Sequence, residues 1–211
     1  RDLVRSRGLG DVYKRQDYAN MHDPHVWFDV QLWRIAAEKI TETLAELDPA
    51  NAGLYRQRGE HYAAELTELD QFVRRRVAQV PEEQRVLVTA HDAFGYFGMA
   101  YGFEVVGLQG ISTASEAGTG DVRRLAELIA SRRIPGIFIE SSVPVRNIQA
   151  VQEATRARGW DVAIGGELYS DALGSPGTPE GTYVGMVRHN VETIVAALIP
   201  PTENPTMQVA R

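Results

Sequence analysis

The stretch Arg-Val-Leu-Val-Thr-Ala-His-Asp-Ala-Phe-Gly-Tyr at residues 85–96 decides the fold. Residues 86–90 form a short apolar run of the length of one buried strand, and a helical pattern follows over 93–101. A buried strand followed closely by a helix is the repeating unit of parallel α/β sheets. We therefore expect a parallel sheet to begin here.

The same alternation of short apolar runs and amphipathic segments continues towards the C terminus. Further strands are expected at 104–108, 136–140 and 161–164, and further helices at 121–133, 145–158 and 182–198. The fold class is thus α/β, with a four-stranded parallel sheet flanked by helices. We assign residues 81–200 to this C-terminal lobe and 201–211 to a tail.

Two helical patterns precede the sheet. The first covers 29–47, where Asp29 is placed to cap the helix and apolar residues recur every three or four positions. The second covers 51–80 and would be about 45 Å long if continuous. Because this exceeds what one small lobe needs, it is interpreted as a rigid connector.

Residues 1–16, RDLVRSRGLGDVYKRQ, are basic, interrupted by glycine and without helical or strand periodicity. They are expected to be a non-native segment derived from a sequencing adapter, and the alternative is a natural basic arm. On the favoured interpretation the chain is a fragment that lacks its true N-terminal part, including any export signal.

Composition restricts the function further. The chain has 211 residues, 44% of them hydrophobic and 24% charged, which is typical of a globular protein. A net charge of -6 argues against nucleic-acid binding, which requires a basic face. Because there is no cysteine, nitrogen and oxygen atoms must hold any metal.

Three candidate polar side chains follow strands of the predicted sheet. His91 comes directly after the first strand, Glu140 ends the third, and Asp171 lies on the loop after the fourth. The carboxyl ends of parallel strands meet at one edge, where ligands bind in open α/β sheets. Asp171 could instead be an ordinary turn residue, and Glu140 could bind metal or cap its loop. We favour the interpretation that Glu140 does not bind the metal itself but contacts a metal-binding imidazole and orients it.

A fourth candidate, His25, lies in Asp-Pro-His-Val-Trp on the other side of the long helix. Pro24 restricts the backbone before it, and Trp27 offers a bulky anchor. Two imidazoles and one carboxylate suit a borderline divalent ion such as zinc. The sequence therefore predicts that His25, His91 and Asp171 bind one cation in an interdomain cleft.

Five motifs together resemble the zinc- and manganese-binding solute-binding proteins of bacterial ABC importers, the TroA-like receptors. They are Asp-Pro-His-Val-Trp at 23–27, Thr-Ala-His-Asp-Ala-Phe-Gly-Tyr-Phe at 89–97, Gln-Gly-Ile-Ser-Thr at 109–113, Phe-Ile-Glu-Ser-Ser at 138–142 and Gly-Gly-Glu-Leu-Tyr-Ser-Asp at 165–171. The resemblance implies two α/β lobes joined by a rigid helix and four metal-binding side chains. It thereby makes residues 51–80 the interdomain backbone helix and residues 17–50 the remnant of an N-terminal α/β lobe. His25, His91 and Asp171 match three of the four side chains. The fourth is a histidine upstream of this chain; His22 is a stand-in by proximity only, and a loop histidine is the favoured interpretation.

The resemblance also implies a function. It predicts a monomeric extracytoplasmic receptor, periplasmic or anchored as a lipoprotein, that delivers Zn²⁺ or Mn²⁺ to an ABC permease without chemical change. The imidazole of His91, where manganese-preferring relatives often have a carboxylate, favours zinc. A rigid helix limits hinge bending, so metal release is expected from loop movement around Asp171.

Two rivals remain at this point. Two histidines and one aspartate with an open position also describe a catalytic zinc centre, so a zinc-dependent hydrolase with Glu140 as general base is one alternative. A surface adhesin, a role claimed for some members of the family, is the other.

Overall fold

The computed structural model describes residues 22–113 and 117–199. The described chain opens with a helical hairpin, in which α1 (Val30–Leu47) packs antiparallel against α2 (Ala52–Val77). Asp29 caps α1 as expected, since its side chain accepts hydrogen bonds from the main-chain N–H groups of Gln31 and Leu32. Helix α2 has 26 residues, which makes it about 39 Å long.

Helix α2 ends earlier than the predicted limit at residue 80. After Val77 the N–H groups of Gln79 and Val80 bond to carbonyls three residues back, so the last turn is a tight 3₁₀-type turn. Pro81 then prevents the helix from continuing. Both predicted helices of this region therefore exist, with the second four residues shorter than predicted because it begins one residue later and ends three earlier.

The remaining elements alternate as the sequence predicts. They are β1 (Val86–His91), α3 (Gly95–Tyr101), β2 (Glu104–Gln109), α4 (Thr119–Arg132), β3 (Gly136–Glu140), α5 (Arg146–Arg156), β4 (Ala163–Leu168) and α6 (Tyr183–Leu198). The α/β class and the parallel direction of the strands are thereby confirmed. Alternate residues of β1 face opposite cores: Leu87 packs with α2 and α6, whereas Val86 packs with α4 and α5.

The fourth strand was misplaced in the prediction over 161–164. It runs from Ala163 to Leu168 and includes Gly165 and Gly166, which a sequence pattern suggests as a break. A β carbon at Gly165 would lie 2.4 Å from the Ala197 β carbon of α6. The glycine thus lets α6 approach the sheet closely, and the strand continues through it.

The four strands are hydrogen-bonded as two parallel pairs, β1 with β2 and β3 with β4, rather than as one continuous ladder. Strand β1 also lies beside β3. At the carboxyl end of this boundary, the main-chain N–H of His91 donates to Oε1 of Glu140 at 2.8 Å. A side chain therefore links the two pairs at the edge where the site lies.

Helix α1 carries four large apolar residues that stay exposed to solvent. Ile35, Ile40, Leu44 and Leu47 are 54%, 56%, 42% and 77% exposed. The side that packs onto α2 uses other residues, among them Trp33, whose indole N–H donates to the Tyr62 hydroxyl at 3.1 Å. These four apolar residues helped to predict the helix, but they do not pack it against the described part of the chain.

No helix within the described ranges is both long and apolar enough to cross a bilayer. The segments 1–16 and 201–211 lie outside the described residues. The division of the rest at 17–50, 51–80 and 81–200 stays a prediction.

Candidate metal centre

His25 directly precedes the 3₁₀ turn Val26–Phe28, which leads into α1, and it is only 2% exposed. Asp23 fixes it twice: Oδ1 of Asp23 accepts the main-chain N–H of His25 at 2.9 Å and lies 2.7 Å from the ring atom Nδ1. The ring of Trp27 packs edge-on against the imidazole, with centroids 5.2 Å apart. The other ring nitrogen of His25, Nε2, is thereby directed away from this segment.

His91 is the last residue of β1 and is fully buried. Its Nδ1 lies 2.6 Å from Oε2 of Glu140, which is itself 1% exposed. Glu140 thus lies at the ring nitrogen of His91 that is opposite to the one near Asp171. Since a carboxylate holds Nδ1, the other ring nitrogen of His91, Nε2, is left to face Asp171, whose Oδ2 lies 3.4 Å away.

The environment of His91 also changes its acidity. Burial by itself lowers the pKa of the imidazole, but the contact with Glu140 and the charges of Glu140, Asp171 and Asp92 outweigh burial. The net result is a pKa of His91 above its ordinary value. The ring therefore lies in a strongly negative environment, which also favours a bound cation.

Asp171 lies on the loop that follows β4, and its side chain is 36% exposed. Its two oxygens reach the two histidines separately: Oδ1 is 3.2 Å from Nε2 of His25, and Oδ2 is 3.4 Å from Nε2 of His91. The structure thus brings together three residues that are up to 146 positions apart.

The three side chains form one cluster in which each offers a ligand atom within 4.8 Å of the others. Bonds of about 2.1 Å in a tetrahedral zinc shell place neighbouring donor atoms about 3.4 Å apart. The two carboxylate contacts are close to that spacing, one through each oxygen of Asp171, and one atom of each residue lies within 4.8 Å of the others. The donor set and its geometry fit a small divalent ion.

An open cleft of about 490 Å³ borders the cluster. It is lined by His22, Pro24, His25, Ile111, Ser112, Thr113 and Asp171. His22 is exposed at this cleft and does not belong to the three-residue cluster. The cleft leaves room beside the cluster for a further donor.

Sequence reasoning missed two residues that support the cluster. Asp23 lies two positions before His25, a spacing at which aspartate commonly bonds to the main chain, so this signal was available. Asn190 of α6 holds the loop before Asp171 through the main chain of Tyr169. Nothing in the sequence around Asn190 indicates that contact, because it depends on how α6 packs.

Comparison with known proteins identifies the family. The family model described as ZnuA, zinc-uptake complex component A, periplasmic, matches residues 4–197. The chain belongs to this family. The resemblance to TroA-like receptors that the motifs indicated is thereby confirmed.

Individual members of the family are similar over most of the chain. The zinc-binding protein TroA of Treponema pallidum is 58% identical over 83% of this chain and 57% of its own length. The manganese-binding lipoprotein MntA of Bacillus subtilis is 49% identical over 83% of this chain and 58% of its own length. The chain therefore spans less than three-fifths of these curated relatives.

A solved structure, that of the periplasmic zinc-binding protein TroA from Treponema pallidum, superimposes with a TM-score of 0.85. The two share 55% sequence identity, and the alignment covers 88% of this chain and 67% of the other. The ZnuA-family fold of this chain is therefore the fold of that structure over the aligned region.

Proposed function

We propose that this chain binds Zn²⁺, or Mn²⁺, as the extracytoplasmic receptor of an ABC importer. The observation that supports the proposal best is the convergence of His25, His91 and Asp171, whose ligand atoms lie within 4.8 Å of one another. The names of two relatives, a zinc-binding protein and a manganese-binding lipoprotein, agree with this chemistry.

In this proposal, some residues of the chain supply ligand atoms and others orient those ligands. His25 and His91 supply nitrogen donors, and the carboxylates of Asp23 and Glu140 hold the opposite ring nitrogens. Such carboxylates orient the imidazoles and raise their basicity as ligands. Asp171 supplies oxygen and partial charge neutralisation. Two nitrogens and one oxygen favour zinc over manganese, because manganese prefers oxygen-rich sites.

In this proposal the ion is cargo and leaves unchanged, so the chain is a receptor and not an enzyme. It acts as a monomer, periplasmic or anchored as a lipoprotein, and hands the ion to a membrane permease. The metal ion and the permease are then its two partners, with no role for nucleic acid.

The test is a zinc titration against a competing chelator on the purified 211-residue chain, wild type and His91→Ala. We expect His91→Ala to weaken zinc binding by on the order of 100-fold, since a buried ligand is lost. His61→Ala is the matched control, because the His61 side chain is 80% exposed on α2 and lies outside the cluster. Equal zinc affinity of wild type and His91→Ala would overturn the assignment.

A further inference from the structure

Hydrogen bonds hold the loop that carries Asp171 at the two preceding residues, Tyr169 and Ser170. The side-chain amide of Asn190 accepts the N–H of Tyr169 at 3.0 Å and donates to the Tyr169 carbonyl at 2.8 Å. The carbonyl of Ser170 accepts the indole N–H of Trp27 at 3.2 Å, and the Ser170 hydroxyl bonds to that of Ser142 at 2.7 Å. The loop is therefore held by side chains of other segments rather than by a strand ladder.

Trp27 belongs to the segment that carries His25, so its indole joins two ligand-bearing segments. Its own carbonyl accepts the hydroxyl of Tyr183 at 2.7 Å. Tyr183 and Asn190 both lie on α6, seven residues or about two turns apart, and hence on one side of the helix. Helix α6 thus supports both segments, one through each residue.

We propose that Trp27, Tyr183 and Asn190 form a latch that holds Asp171 against His25 and sets how fast a bound metal ion leaves. The proposal rests on the proposed function and names the residues that control release. These three are positioning residues, because none offers an atom to the ion.

The contrast in exposure explains why the latch controls release. His25 and His91 are 2% and 0% exposed and are each backed by a carboxylate, whereas the Asp171 side chain is 36% exposed. Asp171 is therefore the ligand of the cluster that can leave most easily. The Trp27 and Asn190 bonds can break without disrupting β4, so the loop can move while the sheet stays intact.

The test compares Trp27→Phe with Trp160→Phe in stopped-flow release of Zn²⁺ into excess chelator, using the whole chain. Phenylalanine keeps an aromatic ring beside His25 but loses the N–H that holds Ser170. Trp160 is the matched control, because its indole donates to the Ile134 carbonyl at 2.7 Å in the core behind the sheet. We expect Trp27→Phe to release zinc roughly three- to tenfold faster, with association within about twofold of wild type.

Tyr183→Phe is a second variant, within the latch itself, since it removes only the hydroxyl that donates to the Trp27 carbonyl. It is expected to speed release in the same direction, and it carries the test if Trp27→Phe does not fold. A purely structural role would lower the thermal stability of both tryptophan variants and leave both release rates equal to wild type. That result, with wild type binding zinc normally, overturns the latch alone. A wild-type chain that binds no zinc overturns the proposed function instead.

Discussion

Tyr183 shows at the scale of one residue how burial sets the chemistry of a side chain in this molecule. Its hydroxyl donates to the Trp27 carbonyl, and its ring stacks on Trp33 with centroids 5.0 Å apart. Burial, reinforced by nearby phenols and by Asp29 and Asp70, raises the pKa of Tyr183 well above its ordinary value. The folded protein therefore keeps this proton in alkaline solution.

This shift predicts a loss of stability at high pH. The unfolded chain releases a phenolic proton near pH 10, at about the ordinary pKa, whereas folded Tyr183 retains it. The unfolded state then binds fewer protons, so the free energy of unfolding falls as pH rises above about 10 and is unaffected by Tyr183 below that value.

The measurement is urea unfolding between about pH 8 and pH 11, for wild type and Tyr183→Phe. The variant lacks the titrating group, so its stability should fall less steeply, by up to about 1.4 kcal/mol per pH unit. A lower stability at neutral pH is expected from loss of the bond to Trp27 and does not bear on the slope. Equal slopes would contradict the prediction.

At the scale of elements, strand β2 is packed against the turn that follows β1. Gly107 pairs with Thr89 across the ladder. A β carbon at Gly107 would lie 2.5 Å from the main-chain N of Asp92 and 2.7 Å from the carbonyl carbon of His91. The glycine therefore allows the backbone of a candidate ligand to sit directly against the neighbouring strand.

Gly107→Ala is expected to push the backbone of His91 and Asp92 away. Overpacking of this kind typically costs about 1–3 kcal/mol of stability, and the displaced His91 should also bind zinc more weakly. Urea unfolding and zinc titration measure the two effects.

Gly53→Ala is the matched control, because nothing lies within 4 Å of a β carbon at Gly53 near the start of α2. That change should leave zinc affinity unaltered and raise stability by up to about 1 kcal/mol. A Gly107→Ala variant as stable as wild type, with unchanged zinc affinity, would show that the backbone around His91 can shift without effect.

At the scale of the whole molecule, the two sides of the helical hairpin differ sharply. Leu66 of α2 is fully buried in the core shared with α6, whereas Leu47 of α1 is 77% exposed. Both helices of the hairpin contact this core, α1 through Val30 and Trp33 near its start, but the exposed side of α1 around Leu47 contributes little to the stability of the described part.

Leu47→Lys is accordingly expected to change the free energy of unfolding by no more than about 0.5 kcal/mol. Leu66→Ala, which leaves a cavity in the core, should lower it by about 2–5 kcal/mol. Urea denaturation of the two variants beside wild type gives both values. A cost for Leu47→Lys above about 1 kcal/mol would mean that this face is covered in solution.

The α/β class, the order of the elements and the candidates His25, His91 and Asp171 could be read from the sequence. Apolar periodicity reports secondary structure, and parallel strands present their carboxyl ends at one edge, which points to His91 and Asp171. His25 lies outside the sheet, so it was predicted from its motif, Asp-Pro-His-Val-Trp. The capping role of Asp29 was likewise readable, since the contact spans only two or three residues.

Only the tertiary structure decided the rest. Contacts between distant segments determine how the strands pair in twos and how β4 continues through Gly165. They also determine which apolar residues of α1 stay exposed. The hydrogen bonds by which Trp27 and Asn190 hold the loop of Asp171 are of the same kind. Side-chain packing and hydrogen bonds of that range leave no periodic trace in the sequence. They exist only once the chain has folded and the distant segments are in contact.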